Sequence, residues 1–299
     1  MLVYVKLVGS VFFWGATWIS GRVLAQDMGP FSASLLRFVT ASIFLFLWSW
    51  RANGSFPVLP KKDILPVAFL GLTGIFLYNA FFFTGLQTIP AGRAALLIAP
   101  VPVIISIISA LMLGERLTPG KIGGTLLSLT GASIVLSGGN PLQLFQGGLA
   151  HGDLMILGCV AAWTAYSVAG SRVMRRVAPL MAVTWSCILG SLMLLAPALT
   201  HGLLDDVRRA SLVDWGNILF LGIVATGVAF TWYYSGIRAI GAARAGIFIN
   251  LVPVFAIAMG YVILNEHVTY SLVSGGAMVI SGVYLANRPA KTLALREKT

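Results

Sequence analysis

Charged residues are scarce in this sequence. Only 10% of its 299 residues are charged, 58% are hydrophobic, and the mean hydropathy is +0.91. Soluble domains have about a quarter charged residues and just under half apolar ones. The chain has too little polar surface to dissolve in water, which excludes a soluble enzyme or a soluble binding domain.

Side chains that build catalytic or metal centres are also few. The histidines, His151, His201 and His267, fall at predicted loops or helix ends, and the cysteines, Cys159 and Cys187, fall inside apolar runs. These positions form no Ser/His/Asp set, no metal-ligand spacing and no disulfide framework. We therefore predict that the protein is not an enzyme and binds no metal and no cofactor.

A nucleotide-binding P-loop is missing as well. That loop needs the pattern G-x-x-x-x-G-K-[ST], and the Gly120-Lys121 pair is followed by Ile122 and preceded five residues earlier by Glu115. Pumping driven by ATP is not expected.

Long apolar runs dominate what is present. A bilayer core needs about 20 helical residues. Ten runs of that size lie at 3–23, 30–50, 64–84, 92–113, 119–137, 152–173, 179–200, 214–236, 243–264 and 270–288. The predicted fold class is an all-α integral membrane protein with ten transmembrane helices.

The net charge of +11 comes from basic residues scattered over short loops. A nucleic-acid footprint would cluster them, so no nucleic-acid partner is predicted. Fifteen Lys and Arg lie on the side of the N-terminus and four on the other, with Arg37 inside the second run. Because cytoplasmic loops collect Lys and Arg, we predict a bacterial inner-membrane protein with both termini cytoplasmic.

The two halves of the sequence match at specific residues. A shift of 151 residues places Gly71 on Gly222, Gly85 on Gly236, Arg93 on Arg244, Pro102 on Pro253, Glu115 on Glu266 and Gly131 on Gly282. A shift of 149 places Gly9 on Gly158, Trp14 on Trp163 and Pro30 on Pro179. Each half has five runs, an odd number, so the second half would enter the membrane inverted. Inverted repeats are typical of alternating-access transporters with a midplane site, although a duplicated scaffold without transport is an alternative.

The chain resembles the EamA-type drug/metabolite transporter superfamily over nearly its whole length. The resemblance is carried by Trp14-Gly15 with Arg22, Leu36-Arg37-Phe38, Gly92-Arg93-Ala94 to Pro102 with Gly114-Glu115, and Arg244 to Pro253 with Glu266. It implies two inverted five-helix repeats, 1–137 and 152–288, with a linker at 138–151 and a basic cytoplasmic tail at 289–299. Members carry amino acids, other metabolites, drugs, sugar phosphates and nucleotide sugars, so the resemblance names no solute.

Aromatic and polar side chains at mid-depth are the candidates for binding a solute. Tryptophan there needs a reason other than the interfacial belt, and a buried amide needs a partner. The predicted site residues are Trp14, Thr17, Tyr78, Asn79, Trp163, Tyr166 and Asn250. Lipid contact or core packing remains an alternative for them. Aromatic residues near predicted helix ends, at 81–83 and 232–234, are interpreted as an interfacial belt.

Prolines Pro100, Pro102 and Pro253 interrupt apolar runs. Each frees a carbonyl one turn earlier, which hydrocarbon tolerates only where it faces protein or water. They predict bent helices lining the solute path, with a static packing kink as the alternative.

Arg37 is the one charge clearly inside a run. It is either a functional cation or a side chain that reaches the outer interface by snorkelling. No carboxylate lies at mid-depth, which argues against a pump for cationic drugs.

Four charges at the ends of the matched runs are candidate gates: Arg93, Glu115, Arg244 and Glu266. Side-by-side runs would pair Arg93 with Glu266 outside and Glu115 with Arg244 inside, each pair latching one gate. Alternatively, the glutamates accept hydrogen bonds from the amides that open the following helices, near Thr118 and Thr269.

The sequence therefore predicts a secondary transporter or facilitator that exports a small neutral or zwitterionic metabolite, with an amino acid as the leading candidate. A sugar-like or lipid-linked metabolite is a second possibility, and a non-transporting membrane sensor or scaffold is the rival from another class. The predicted partners are the small solute and the lipid bilayer. The sequence sets no oligomeric state, and a monomer is compatible with it.

Overall fold

The regular elements in the described part of the chain are helices, as expected where hydrocarbon leaves every backbone N–H and C=O to be satisfied within the chain. The computed structural model describes residues 2–53, 58–98, 100–101, 104, 108, 119–140, 149–173, 176–240 and 248–287. In chain order, the helices are α1 (Leu2–Asp27), α2 (Pro30–Asn53), α3 (Lys61–Leu86), α4 (Ala91–Ile98), α5 (Pro119–Leu136), α6 (His151–Val173), α7 (Pro179–Thr200), α8 (Leu203–Arg209), α9 (212–240), α10 (Val252–Leu264) and α11 (Tyr270–Asn287).

Six helices are long and apolar enough to cross a membrane. These segments are Leu2–Asp27, Pro30–Arg51, Lys61–Leu86, His151–Gly170, Leu180–Thr200 and Leu212–Tyr233. Shorter apolar helices cover Ile122–Val135, Val252–Leu264 and Tyr270–Leu285. The chain is therefore a multi-pass membrane protein. The count of ten stays a prediction, because half of the run at 92–113 lies outside the described residues.

The helices pack in a reciprocal pattern. Helix α1 packs on α9 and α10, and α6 packs on α3 and α4. Helix α2 packs on α7 and α9, while α7 packs on α2 and α3, and α5 pairs with α11. The matched helices of the two halves are α1 and α6, α2 and α7, α3 and α9, α4 and α10, and α5 and α11. If each helix is replaced by its match, the same set of contacts results. Reciprocal contacts of this kind are the packing that a two-fold relation produces.

Close glycine contacts repeat at the same spacing. Gly9 lies against the Trp232 ring, and the matched Gly158 lies against the Phe81 ring. Two further pairs behave alike: Gly85 with Ile156 corresponds to Gly236 with Leu7, and Gly131 with Gly275 corresponds to Gly282 with Gly124. In the last pair backbone meets backbone, since a Cβ on either Gly131 or Gly282 would lie 2.5 Å from a carbonyl oxygen. Glycine is required where helices approach this closely.

Both α3 and α9 contain a π-helical segment, at Gly71–Leu77 and Phe220–Val228. The shift of 151 residues places the first segment inside the second. Each segment begins near a glycine seated on a neighbouring backbone: Gly71 on the Ser186 carbonyl of α7, and Gly222 on the Arg37 carbonyl of α2. π-Helical turns are frequent at functional sites, and Tyr78 and Asn79 follow directly after the first one.

Candidate functional site

Three of the predicted site residues form one aromatic cluster between α3 and α6. The Trp163 ring lies 5.2 Å from Tyr78 and 5.1 Å from Tyr166, centroid to centroid. The Tyr166 ring also presses on Gly74 of the π-helical segment, where a larger residue would clash. Trp163 and Tyr78 are half-buried. We call these three residues the Trp163 cluster.

Trp14 belongs to a second cluster, between α1 and α9. Its ring lies 5.3 Å from Phe230 and 5.0 Å from Tyr233, and its indole N–H donates to the Ala225 carbonyl at 3.0 Å. The sequence interpretation missed Phe230 and placed Tyr233 in the belt. We call Trp14, Phe230 and Tyr233 the Trp14 cluster.

The belt interpretation is wrong for two phenylalanines of α3. Phe82 and Phe83 are almost fully buried in the core, where Phe82 packs 5.0 Å from Trp18. They are buried because α3 packs against both α1 and α6. Distance from a helix end could not reveal this.

Two polar candidates already have hydrogen-bond partners. The Thr17 hydroxyl donates to the Phe13 carbonyl in its own helix at 3.1 Å. Asn79 is buried; its amide nitrogen donates to the Ile75 carbonyl at 2.9 Å, and its oxygen accepts from Arg37 at 3.1 Å. Their role in binding a solute stays a prediction. The side chain of Asn250 lies outside the described residues.

Arg37 is buried in the protein and does not snorkel. It is the eighth residue of α2, only 8% of it is exposed, and its guanidinium lies 5.0 Å from the Phe38 ring centroid. The Nη1 group donates to Asn79, whereas the buried Nε has no partner among the described residues. The burial rules out the snorkelling interpretation, and a functional role of this cation stays a prediction.

Two of the three candidate bend prolines, Pro100 and Pro253, lie between helical segments. Pro100 is in a turn two residues after the end of α4, and its carbonyl accepts from the Ile104 amide at 3.1 Å. Pro253 lies in the first turn of α10, after a 3₁₀ turn at Phe248–Leu251. At a helix start the missing proline N–H costs nothing. Pro253 thus stands where a 3₁₀ turn meets an α-helix, and its role in a bent helix along the solute path stays a prediction. Pro102 lies outside the described residues.

Arg93 and Glu266 are close in space but each has a partner other than the predicted one. Arg93 forms a bidentate pair with Asp153 of α6, Nε to Oδ1 at 2.9 Å and Nη2 to Oδ2 at 2.8 Å. Glu266 accepts from the amides of Ala91 and Gly92 at 2.7 and 3.2 Å. The predicted Arg93–Glu266 latch is therefore replaced by two contacts at the start of α4. Glu115 and Arg244 lie outside the described residues.

The carboxylate of Glu266 sits where α4 has unpaired amides and a positive dipole end, which explains its preference. Glu266 therefore binds the amides at the start of α4. It binds neither of the two partners predicted from the sequence, which were the Arg93 side chain and the amides near Thr269. Asp153 was not predicted as the partner of Arg93. Its only sequence signal is a carboxylate in the first turn of an apolar helix.

Further contacts close the same end of the bundle. The Arg22 guanidinium donates to the Leu86 carbonyl, and the Gln26 amide donates to the Gln87 carbonyl at 3.3 Å. Together with the Glu266 and Asp153 contacts, these join α1, α3, α4, α6 and the residues after α10. We call this the Glu266 end. Because charge-assisted bonds hold it, no open path is expected there in this conformation.

A family model described as the EamA-like transporter family matches this chain twice, at residues 1–137 and 150–288. Among similar proteins, the uncharacterized transporter YetK of Bacillus subtilis is 28% identical, with 99% of this chain and 91% of YetK covered. A probable terminal-alkyne amino-acid exporter of Streptantibioticus cattleyicolor is also 28% identical, covering 98% and 95%. One solved protein structure shares the fold, with a TM-score of 0.65, 22% identity, and coverage of 94% and 97%.

Proposed function

Because the chain belongs to the EamA-like transporter family, we propose that it is a secondary transporter or facilitator that exports a small neutral or zwitterionic metabolite by alternating access. The favoured solute is an amino acid or an amino-acid derivative. One relative is named a probable amino-acid exporter, which supports this solute class. Both family matches cover one half of the chain each, in keeping with two five-helix repeats at 1–137 and 152–288.

The observation that carries the proposal is the way the halves meet at the Glu266 end. Glu266 of the second half binds Ala91 and Gly92 of the first, and Arg93 of the first half binds Asp153 of the second. These contacts would have to break for the halves to separate at this end. Alternating access needs such a breakable closure on one side of a central site.

The repeat predicts a matching closure at the opposite end. Shifting by 151 residues places Glu115 on Glu266, and Ala242 and Ala243 on Ala91 and Gly92. In the other conformation we expect Glu115 to close the opposite end while Glu266 releases α4. The pairing of Glu115 with Arg244 stays a prediction.

We place the solute between the Trp163 cluster on one side and Trp14 with Thr17 on the other. Apart from Tyr78 of α3, these residues lie on the matched helices α1 and α6, each of which contacts the opposite half. Aromatic faces suit the side chain and ammonium group of an amino acid. Asn79 and Asn250 are retained as second candidates.

Reconstitution tests the proposal. Purified protein in liposomes loaded with each labelled proteinogenic amino acid should release at least one of them faster than empty liposomes do. A Glu266→Gln variant should change the rate, whereas the exposed Asp205→Asn should not. Release of labelled sugars but of no amino acid would contradict the proposed solute class, and release of neither would contradict transport of these solutes.

A further inference from the structure

We propose that Arg37 binds the carboxylate of the transported solute, so that the substrates of this protein carry a carboxylate group. This inference rests on the transport function proposed above and narrows its substrate class. It makes Arg37 a specificity-determining residue next to the Trp163 cluster.

The charge of Arg37 is not balanced within the described part of the chain. The other buried charges there have partners: Asp63 pairs with Arg176 at 3.4 Å, and Asp153 pairs with Arg93. Asp214 caps the start of α9. Around Arg37 the described groups are neutral, with Asn79 as hydrogen-bond partner and Tyr78 and Cys187 near enough to interact electrostatically. A buried cation without an anion is costly in a membrane.

The guanidinium has an unused edge of the right shape for a carboxylate. Asn79 takes Nη1, which leaves the edge formed by Nε and Nη2, and Nε has no partner. Arg93 uses this same edge to hold both oxygens of Asp153 at 2.9 and 2.8 Å. The chain itself therefore shows what that edge binds when an anion is available. Arginine is well suited to such two-point recognition of carboxylates.

The second half of the chain builds the corresponding place without an arginine. The shift of 149 residues aligns Arg37 with Ser186, and the shift of 151 aligns Asn79 with Phe230. Both positions in α2 and α7 make the same backbone contact, because Gly222 lies on the Arg37 carbonyl and Gly71 on the Ser186 carbonyl. The second half therefore packs with Ser186 and Phe230 at the positions that Arg37 and Asn79 occupy in the first half. The Arg37–Asn79 pair is an addition to the scaffold.

The location of the pair fits a zwitterion. Asn79 follows Tyr78 in the chain, and Tyr78 contacts Trp163 in the aromatic cluster. A solute whose carboxylate binds Arg37 can lay its ammonium group and side chain against these rings. Asn79 holds the guanidinium in place and acts as a positioning residue.

Matched solutes separate this proposal from a structural role. For each amino acid that wild-type liposomes release, transport of its carboxamide is measured with wild type, Arg37→Gln, and the exposed control Arg208→Gln. We expect Arg37→Gln to raise the KM of the acid by about 10- to 100-fold and to leave the KM of the amide nearly unchanged, because charged hydrogen bonds are lost only with the acid. Equal KM values for the acid in Arg37→Gln and wild type would overturn the proposal.

A second variant covers a failure of Arg37→Gln to fold. Asn79→Asp supplies an internal carboxylate that should occupy Arg37, so the acid should bind about tenfold more weakly while the protein stays monodisperse. An Asn79→Asp protein that transports the acid with the wild-type KM would also overturn the inference.

Binding of a simple probe distinguishes failure of this inference from failure of the proposed function. If no amino acid is transported, tryptophan fluorescence is titrated with acetate and with acetamide. Quenching by acetate in wild type but not in Arg37→Gln or Asn79→Asp would support the carboxylate site while the amino-acid export is rejected. The same response to acetate in all three proteins, or a response in none, would reject the site.

Discussion

The two halves of this protein share their packing but differ in the polar groups built on it. Gly9 with Trp232 in one half has the counterpart Gly158 with Phe81 in the other. By contrast, Arg37 of the first half aligns with Ser186 of the second. Residues that differ between the halves, such as Arg37, are therefore candidates for solute chemistry in addition to the matched tryptophans Trp14 and Trp163.

The largest effect is expected from breaking the shared packing between α5 and α11. Gly131→Leu and Gly282→Leu each put a side chain into backbone of the facing helix. Overpacking should lower the free energy of unfolding by about 3 kcal/mol in both variants. Gly216→Ala is the control, because a Cβ there meets nothing within 4 Å. Thermal unfolding in detergent measures this, and a clear difference between the two leucine variants would break the comparison of the halves.

The Glu266 end should open when one charge of its pair is removed. In Asp153→Asn, Arg93 loses its bidentate anion, so closure weakens by about 1–3 kcal/mol, less than for a fully buried pair because Arg93 is 27% exposed. A cysteine at the buried Ala94, in a protein free of other cysteines, should then react faster with a membrane-impermeant thiol reagent. Asp205→Asn serves as the control at an exposed pair. An unchanged labelling rate would remove Asp153 from the gate.

Substitutions of the two matched tryptophans, Trp163 and Trp14, should have different effects on stability. Trp163→Phe removes part of the solute wall and should raise the KM for transport about tenfold, roughly 1.4 kcal/mol. Trp14→Phe also alters the solute wall and in addition loses the hydrogen bond to the Ala225 carbonyl, so it should raise the KM and also cost about 1 kcal/mol of stability. Liposome transport and thermal unfolding of both variants test this. Equal stability of the two variants would contradict the expected difference between the matched tryptophans.

A cysteine placed at Asn140 and another at Thr299 test the orientation without any expected change in activity. Impermeant reagent applied to whole cells should label residue 140 and leave residue 299 unlabelled, because the basic residues lie mostly on the side of the termini. Labelling of residue 299 from outside would reverse the topology and with it the assignment of the Glu266 end to the exterior.

The sequence predicted contacts that depend on backbone packing better than those that depend on side-chain partners. The repeat brought Glu266 to the start of α4, as the structure has it. The predicted partner of Glu266, the Arg93 side chain, was wrong. Backbone amides at a helix start compete with an arginine for the same carboxylate, and the sequence alone does not tell which of them binds it. Asp153 was not predicted as the partner of Arg93 because it lies 60 residues away in the chain.

Site residues show the same division. Trp163, Tyr78 and Tyr166 meet because α3 and α6 pack together. Asn79 was expected to face the solute. In the structure its side-chain nitrogen donates to the carbonyl of Ile75 in the π-helical segment, and its side-chain oxygen accepts from Arg37. A π-helix has no simple sequence signature, so the bond to Ile75 could not be predicted. The bond to Arg37 depends on how α2 and α3 pack, which the sequence does not show.

A reversible cross-link at the Glu266 end tests the central claim most directly. A Cβ on Gly92 would lie 3.4 Å from Cα of Ile257, which brings cysteines at these two positions within disulfide reach across the halves. In a protein with Cys159 and Cys187 replaced, oxidation of Gly92→Cys/Ile257→Cys should stop amino-acid release from liposomes, and reduction should restore it. Release at the full rate from fully cross-linked protein would contradict transport by opening and closing of this end.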